Sequence, residues 1–132
     1  VIVSPAMIPD VIATANRYGV ACYCGAFTPT ECLAAMQAGA DMVKIFPAAI
    51  AGPRYLLNLK MVYPEINLIP SGGINLDTAA EYIRCGASAV SGARNFFDPK
   101  MVEKHGLRWV TEQVARYIHL VAEARADSYD LP

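Results

Sequence analysis

The chain has 132 residues, of which 55% are hydrophobic, and a formal net charge of −1 at pH 7. This near-neutral charge gives no electrostatic reason to expect binding to nucleic acid or to an anionic membrane surface. The hydrophobic residues are interrupted throughout, and no run approaches the roughly 20 residues that cross a membrane. The length suits one domain. The chain starts inside an apolar run and without a methionine, so we expect it to be the C-terminal part of a longer polypeptide.

Short apolar segments alternate with amphipathic segments along the chain. Strands are predicted at 1–3, 20–24, 41–46, 67–69 and 87–90, and helices at 9–19, 29–39, 53–62, 76–85 and 107–124, with a short helix after Asp98 and Pro99. Thr28 and Glu31 form a predicted capping box, and Asn75 is a predicted N-cap. The spacing of apolar residues predicts a buried face on two of these helices. In the helix at 53–62 this face contains Tyr55, Leu56, Leu59 and either Met61 or Val62. In the helix at 107–124 it contains Val110, Val114, either Tyr117 or Ile118, and Val121.

Continuous apolar strands that alternate with helices predict an α/β fold with a parallel sheet. An open doubly wound sheet and a (βα)8 barrel both fit this order. Glycine, serine or proline follows nearly every strand, which favours the barrel, where ligands approach many strand ends at once. We therefore expect residues 1–126 to supply about the last five βα units of a TIM-type (βα)8 barrel. Residues 127–132 are predicted to form a polar tail.

The segment from Asp41 to Pro47 places a lysine inside a predicted buried strand. Side chains alternate between the two faces of a strand, so Lys44 shares a face with Met42 and Phe46, while Val43 and Ile45 lie on the other. Burial disfavours an ammonium ion and favours the free amine, which can attack a carbonyl and form a Schiff base. A lysine that extends from a sheet edge into water is the competing interpretation.

Two predicted turns have the composition of anion-binding loops. Pro70-Ser71-Gly72-Gly73 ends one strand and precedes a helix, whose N-terminus is positive, and the Ser71 hydroxyl can donate a hydrogen bond. Ser91 and Gly92 follow the last predicted strand. A plain βα turn is the competing interpretation for both.

Arg94 follows Ala93 in the second turn and could hold a phosphate or carboxylate in a bidentate contact. A solvated surface arginine fits the same position. The four cysteines are interpreted as small buried residues of a reducing compartment rather than as a disulfide or metal site; they are Cys22, Cys24, Cys32 and Cys85.

Four segments of the sequence, in order, resemble the family of 2-dehydro-3-deoxy-6-phosphogluconate aldolase and 4-hydroxy-2-oxoglutarate aldolase. They are Val3-Ser4-Pro5, Gly25 with Thr28-Pro29-Thr30-Glu31, Val43-Lys44-Ile45-Phe46-Pro47-Ala48, and Pro70-Ser71-Gly72-Gly73-Ile74. The resemblance covers roughly residues 1–99. It implies a class I aldolase on a (βα)8 barrel, commonly a homotrimer, that is cytoplasmic, acts on a small keto acid in the Entner–Doudoroff type of sugar-acid breakdown, and needs no metal or other cofactor.

The resemblance also implies roles for individual residues. Lys44 corresponds to the Schiff-base lysine, Phe46 flanks the pyruvyl group, and Ser71 contacts the bound keto acid. The distal anion of the substrate is expected to be held by Gly72, Gly73, Ser91 and Gly92, with Arg94 as a further candidate. Cleavage of a 2-keto-3-deoxy sugar acid would release pyruvate and an aldehyde.

The family's glutamate acid/base, its carboxylate-binding arginine and a threonine lie on earlier strands that this chain does not contain. Asp41 is at the wrong end of its strand and Glu31 is used in a cap, so we expect this chain alone to have little or no aldolase activity. Two alternatives remain. One is a different phosphate-binding barrel enzyme, an isomerase or synthase, in which Lys44 is only an electrostatic group. The other is a non-catalytic partial barrel that self-associates through its open edges.

Overall fold

A computed structural model describes residues 1–92 and 94–127. In chain order the elements are β1 (Ile2–Val3), α1 (Pro9–Arg17), β2 (Cys22–Ala26), α2 (Pro29–Gln37), β3 (Met42–Ile45), α3 (Ala48–Ala51), α4 (Pro53–Val62), β4 (Leu68–Pro70), α5 (Leu76–Arg84), α6 (Pro99–His105) and α7 (Leu107–Ala126). The four strands form one parallel sheet in the order β1-β2-β3-β4. The predicted α/β class is confirmed, and the sheet is consistent with part of a (βα)8 barrel. Of the predicted polar tail, residues 128–132 lie outside the described residues.

Two helices begin at the caps that the sequence predicts. The Thr28 hydroxyl accepts a hydrogen bond from the Glu31 N–H at 3.3 Å, and the Glu31 carboxylate accepts one from the Thr28 N–H at 2.7 Å. The Asn75 side chain accepts hydrogen bonds from the N–H groups of Asp77 and Thr78, both at 3.0 Å. These contacts satisfy backbone donors that a helix N-terminus otherwise leaves without partners. They fix where α2 and α5 start, directly after the ends of β2 and β4.

The two faces of the sheet differ in burial. One face packs against the helices, and its side chains are fully buried; they are Cys22, Cys24, Val43, Ile45 and Leu68. The other face carries Tyr23, Met42 and Lys44, which are half-buried. All four cysteines are free and buried, and burial raises the pKa of the Cys32 thiol to about 11. The four cysteines therefore contribute apolar volume to the core.

The predicted fifth strand at 87–90 is not a strand in the structure. Isolated bridges pair Leu68 with Ala87 and Ser71 with Ser91, and the N–H groups of Ser88 and Ser91 donate to the carbonyls of Leu68 and Pro70. Ser88 and Ser91 are three positions apart, whereas Leu68 and Pro70 are two apart, so the segment bulges by one residue. Pro70 also has no N–H to donate toward this segment, which interrupts the ladder.

Other sequence predictions are wrong at the margins of the core. Met61 and Val62 are 68% and 64% exposed, because α4 buries Leu56 and Leu59 on its other side. In α7 the face toward the core holds Tyr117, one of the two predicted alternatives, whereas Val114 of the predicted stripe is 38% exposed. The β1 residues are also exposed rather than buried, because β1 lies at the edge of the sheet. In residues 1–92 and 94–127, no helix combines the length and apolar character needed to cross a membrane.

The α2 cap predicts a pH-dependent contribution to stability. Hydrogen bonds from the backbone N–H groups of Thr28 and Phe27 lower the pKa of Glu31. The stabilisation is therefore complete above the ordinary glutamate pKa, about 4.3, and is lost as the pH falls through the lower folded-state value. We expect Glu31→Gln to lower the free energy of unfolding near pH 7, and the difference from the parent to vanish in acid, measured by urea unfolding across this range. Thr28→Ala should cost about 1 kcal/mol near neutral pH. A Glu31→Gln difference that does not vary with pH would contradict this role.

Candidate active site

Lys44 lies in the middle of the sheet, on the face that the helices do not cover. Its partners in register are Gly25 in β2 and Ile69 in β4. The lysine is half-buried, and its Nζ lies 5.3 Å from the centroid of the Phe46 ring. The predicted alternation is confirmed, because Val43 and Ile45 are buried on the opposite face. The amine is thus presented on the open face beside an aromatic ring.

The loop after β1 crosses this same face next to Lys44. A Cβ at Gly25 would stand 2.1 Å from the Pro5 carbonyl carbon, a separation that no real atom pair adopts. Paired residues of parallel strands direct their side chains to the same face. The absence of a side chain at Gly25 therefore lets the Pro5 backbone lie beside the lysine.

The two turns that follow β3 and β4 interlock. The Ser71 N–H donates to the Ile45 carbonyl at 2.9 Å, and the Ser71 carbonyl accepts from the Ala48 N–H at 2.8 Å. The Ala49 N–H donates to the Gly72 carbonyl at 3.0 Å. Ser71 itself is only 8% exposed. The structure therefore brings the predicted serine turn directly against the segment that continues from Lys44.

Gly72 and Gly73 are required by the geometry of this contact. Their φ angles are +87° and +82°, in the region that favours glycine. A Cβ at Gly72 would lie 3.1 Å from the Phe46 ring, and one at Gly73 would lie 2.5 Å from the Ala49 methyl group. The bare backbone at these positions lets the two turns approach each other.

The helix that follows this turn offers less to an anion than the sequence suggests. Asn75 already accepts the hydrogen bonds of the Asp77 and Thr78 N–H groups. These two donors of the first turn of α5 are therefore occupied. An anion at this end of the sheet would depend on other donors, among them the backbone of the Gly72 and Gly73 turn.

The structure places Ser91 and Arg94 of the second predicted turn in different surroundings. Ser91 is paired with Ser71 in an isolated bridge, and Gly92 packs against the Phe96 ring. Ala93, which the sequence places next, lies outside the described residues. Arg94 is exposed and lines a crevice of about 360 Å³ whose other walls include Trp109 and Arg116. None of the described residues lining that crevice belongs to β3. The structure thus joins Ser91 to the Ser71 turn and does not join Arg94 to Lys44.

The carboxylates of Glu31 and Asp41 both have structural partners, and the partner of Glu31 is the one that the sequence predicts. Glu31 is occupied in the α2 cap, where its carboxylate accepts hydrogen bonds from the Phe27 and Thr28 N–H groups. Asp41 precedes β3 and accepts a hydrogen bond from the Cys22 N–H at 2.8 Å. It therefore lies at the opposite end of the strand from the Phe46 turn. Neither carboxylate is placed to exchange protons with a substrate bound at Lys44.

Three features of the site could not be predicted from the sequence. The segment Ala48–Ala51 forms α3, a single helical turn for which the sequence analysis gives no helix. The Tyr82 hydroxyl donates a hydrogen bond to the Ala48 carbonyl at 2.9 Å, and the side chain of Asn95 donates one to the carbonyl of Ile74. A helical period predicts that Tyr82 is buried, but nothing in the sequence indicates which carbonyl its hydroxyl reaches.

Comparison with known proteins gives one consistent result. The family model described as "Aldolase: KDPG and KHG aldolase" matches residues 1–113. The chain is 34% identical over 125 residues to the 2-dehydro-3-deoxy-6-phosphogalactonate aldolase of Escherichia coli K12, covering 93% of this chain and 58% of that protein. The chain therefore spans little more than half the length of this relative.

Two solved structures are also similar to this chain. The first is described as a native KDPGal structure, and it has a TM-score of 0.84 and 28% identity over 92% of this chain and 58% of that one. The second is a cube-shaped protein cage designed by fusing symmetric oligomeric domains, with a TM-score of 0.85 and 28% identity over 95% of this chain and 45% of that one. Both similarities support the same parallel α/β fold.

The contact between Gly72 and Phe46 is testable with a matched pair of glycine variants. Gly19→Ala places a Cβ at a φ of +62° with no atom within 4 Å, so it should cost only the backbone strain, roughly 1 kcal/mol. Gly72→Ala adds the collision with the Phe46 ring and should lower the free energy of unfolding further. Chemical denaturation measures both values. Equal losses would show that the ring does not lie against Gly72.

Proposed function

The chain belongs to the KDPG and KHG aldolase family, and we propose that it carries the Schiff-base lysine of a class I aldolase that cleaves a 2-keto-3-deoxy sugar acid. The observation that carries this proposal is the position of Lys44. Its amine lies on the uncovered face of the sheet, between β2 and β4 and beside the Phe46 ring. A half-buried lysine in such a place is accessible to a small carbonyl compound and partly shielded from water.

The reaction follows from the chemistry of a lysine imine. The Lys44 amine adds to the C2 carbonyl of the substrate, and loss of water gives a protonated imine. The hydroxyl on C4 loses its proton, the C3–C4 bond breaks, and its electron pair moves into the imine to give an enamine. An aldehyde leaves at this stage. Protonation of C3 and addition of water then release pyruvate and restore the amine.

Phe46 and Ser71 are proposed to hold the pyruvyl group. The Phe46 ring lies beside the amine, and a cation next to the face of an aromatic ring is stabilised. The protonated imine carries this positive charge, so the ring supports the intermediate as well as flanking its apolar methyl end. Ser71 follows β4 in the neighbouring turn, and its hydroxyl is the proposed donor to the keto-acid carboxylate.

The distal end of the substrate is proposed to lie along the glycine turns. Gly72 and Gly73 present bare backbone, and Ser91 with Gly92 lies adjacent through the bridge between Ser71 and Ser91. Backbone N–H groups at such turns bind phosphate or carboxylate oxygens. Arg94 lies in a different crevice, and we assign it no contact with the pyruvyl group.

The full protein is proposed to be a cytoplasmic homo-oligomer, a trimer by family resemblance. The related cage protein is described as a fusion of symmetric oligomeric domains, which supports an oligomer. The preferred sugar acid is proposed to be a phosphorylated 2-keto-3-deoxy acid, as the relative's name indicates for that protein.

Trapping with pyruvate tests the nucleophile. Borohydride reduces an imine to a stable amine, so treatment of the chain with pyruvate and borohydride should add one reduced pyruvate-derived group, which peptide mass spectrometry should locate on Lys44. Lys44→Arg keeps the positive charge but should abolish the adduct. Lys100→Arg, on the exposed first turn of α6, should be labelled like the parent.

Two outcomes would contradict the proposal. One is an adduct on another lysine that persists in Lys44→Arg. The other is the absence of any adduct from the folded parent chain. Because Glu31 and Asp41 are occupied elsewhere, we also expect the 132-residue chain to form the adduct yet show little or no turnover of a sugar acid. Rapid turnover by this chain would refute that expectation.

A further inference from the structure

Tyr82 makes a buried side-chain hydrogen bond from α5 to the segment that follows Lys44. Tyr82 is 2% exposed, and its hydroxyl donates to the Ala48 carbonyl at 2.9 Å. Burial raises the pKa of Tyr82, so the hydroxyl stays protonated and remains a donor at neutral pH. The bond gives the buried Ala48 carbonyl a side-chain donor from another helix, and it therefore resists displacement of Ala48.

Ala48 is fixed from several directions. Its N–H donates to the Ser71 carbonyl at 2.8 Å, and its carbonyl also accepts from the Gly52 N–H at 2.9 Å. The first of these bonds joins α3 to the serine turn, and the second closes α3 on itself. Tyr82 adds the connection to α5, the helix that begins directly after the serine turn. Ala48 is therefore hydrogen-bonded to the end of α3, to the serine turn and to α5.

This connection acts on Phe46 more than on Lys44. Lys44 is held in register by β2 on one side and by β4 on the other. Phe46 lies beyond β3, and its N–H donates to the Ala26 carbonyl at 3.1 Å in the last contact with β2. From there the backbone direction is set by the turn into Ala48. Motion of Ala48 would therefore move the Phe46 ring while leaving the amine in place.

We propose that Tyr82 is a positioning residue, which fixes the Phe46 ring against the pyruvyl group through its hydrogen bond to Ala48. This inference rests on the proposed function, since it concerns how tightly the same site holds a keto acid. It assigns a role to a side chain that touches neither the substrate nor Lys44. This role affects the binding of pyruvate and not the chemical step at Lys44. Loss of the hydroxyl should weaken pyruvate binding without slowing imine formation at saturation.

The test measures adduct formation on the 132-residue chain as a function of pyruvate concentration, with borohydride trapping as the readout. Tyr82→Phe removes only the hydroxyl, and the half-saturating pyruvate concentration should rise, by at most about tenfold because the free energy of one hydrogen bond limits the effect. The rate at saturation should stay within about twofold of the parent, since the strand contacts of Lys44 are unchanged.

Tyr55→Phe is the matched control. Its hydroxyl also donates to a backbone carbonyl, that of Phe27, in the loop between β2 and α2. Both variants should lose comparable unfolding free energy, but Tyr55→Phe should keep the parent's half-saturating concentration. A general loss of stability would raise the half-saturating pyruvate concentration of both variants alike. A rise in Tyr82→Phe alone therefore reports on the position of Phe46.

A second variant keeps the inference testable if Tyr82→Phe does not fold. Ala49→Val enlarges an exposed side chain whose methyl group already lies against Gly73, so it displaces the same turn without altering Tyr82. It should raise the half-saturating pyruvate concentration in the same direction. Parent-like values in Ala49→Val would overturn the inference in that case.

The outcomes separate the two proposals. If the parent chain forms no adduct, both the proposed function and this inference are wrong. An adduct with the parent, but equal half-saturating concentrations in Tyr82→Phe and the parent, overturns the inference and leaves the proposed function in place. A fall in the saturating rate alone would assign Tyr82 to the chemistry instead and would also overturn it.

Discussion

The alternation of burial along β3 is the constraint on which the site depends. Val43 and Ile45 are fully buried against the helices, so the residues between and after them must face the other way. Fully burying two such side chains is worth about 1.5 to 3 kcal/mol each, and a shift of register by one residue would forfeit it and place the lysine in the core. The orientation of Lys44 is thus set by the packing of its neighbours, before any substrate is considered.

A second constraint is the close approach of the turns at the ends of β3 and β4. Backbone hydrogen bonds between the Ala48 and Ser71 segments hold these turns together, and the bare backbone of Gly72 leaves room for the Phe46 ring. The carboxyl ends of parallel strands meet at one edge, which is where barrel enzymes assemble their sites. Here Lys44, the Phe46 ring and Ser71 arise from adjacent strands, and main-chain contacts fix the segments that carry them.

Much of this arrangement could be predicted from the sequence because it depends on local rules. The two-residue period of β3 gave the face of Lys44, and the caps at Thr28 and Asn75 gave the starts of two helices. Contacts between distant segments could not be predicted. Tyr82 and Ala48 are 34 positions apart, and their hydrogen bond depends on how α5 packs.

The failure of the fifth strand has a different origin. Its apolar residues suit a strand, but the neighbouring Pro70 lacks the N–H that a continuous ladder needs, so pairing depends on the partner's sequence. The position of Arg94 likewise depends on distant segments, since it lines a crevice together with Trp109 and Arg116 of α7. In both cases the outcome depends on contacts between segments that are distant in the sequence.

Lys44 supplies the one amine to which we assign a catalytic role, and the chain covers 58% of the length of the Escherichia coli relative that it matches. We assign no proton-transfer group among the residues of this chain. The most direct measurement is a crystal structure of the protein after reduction in the presence of pyruvate. We predict electron density continuous from the Lys44 Nζ to C2 of the former pyruvate, beside the Phe46 ring and on the face opposite Val43 and Ile45. Attachment at a different amine, or a Lys44 side chain turned toward the helices, would contradict this account.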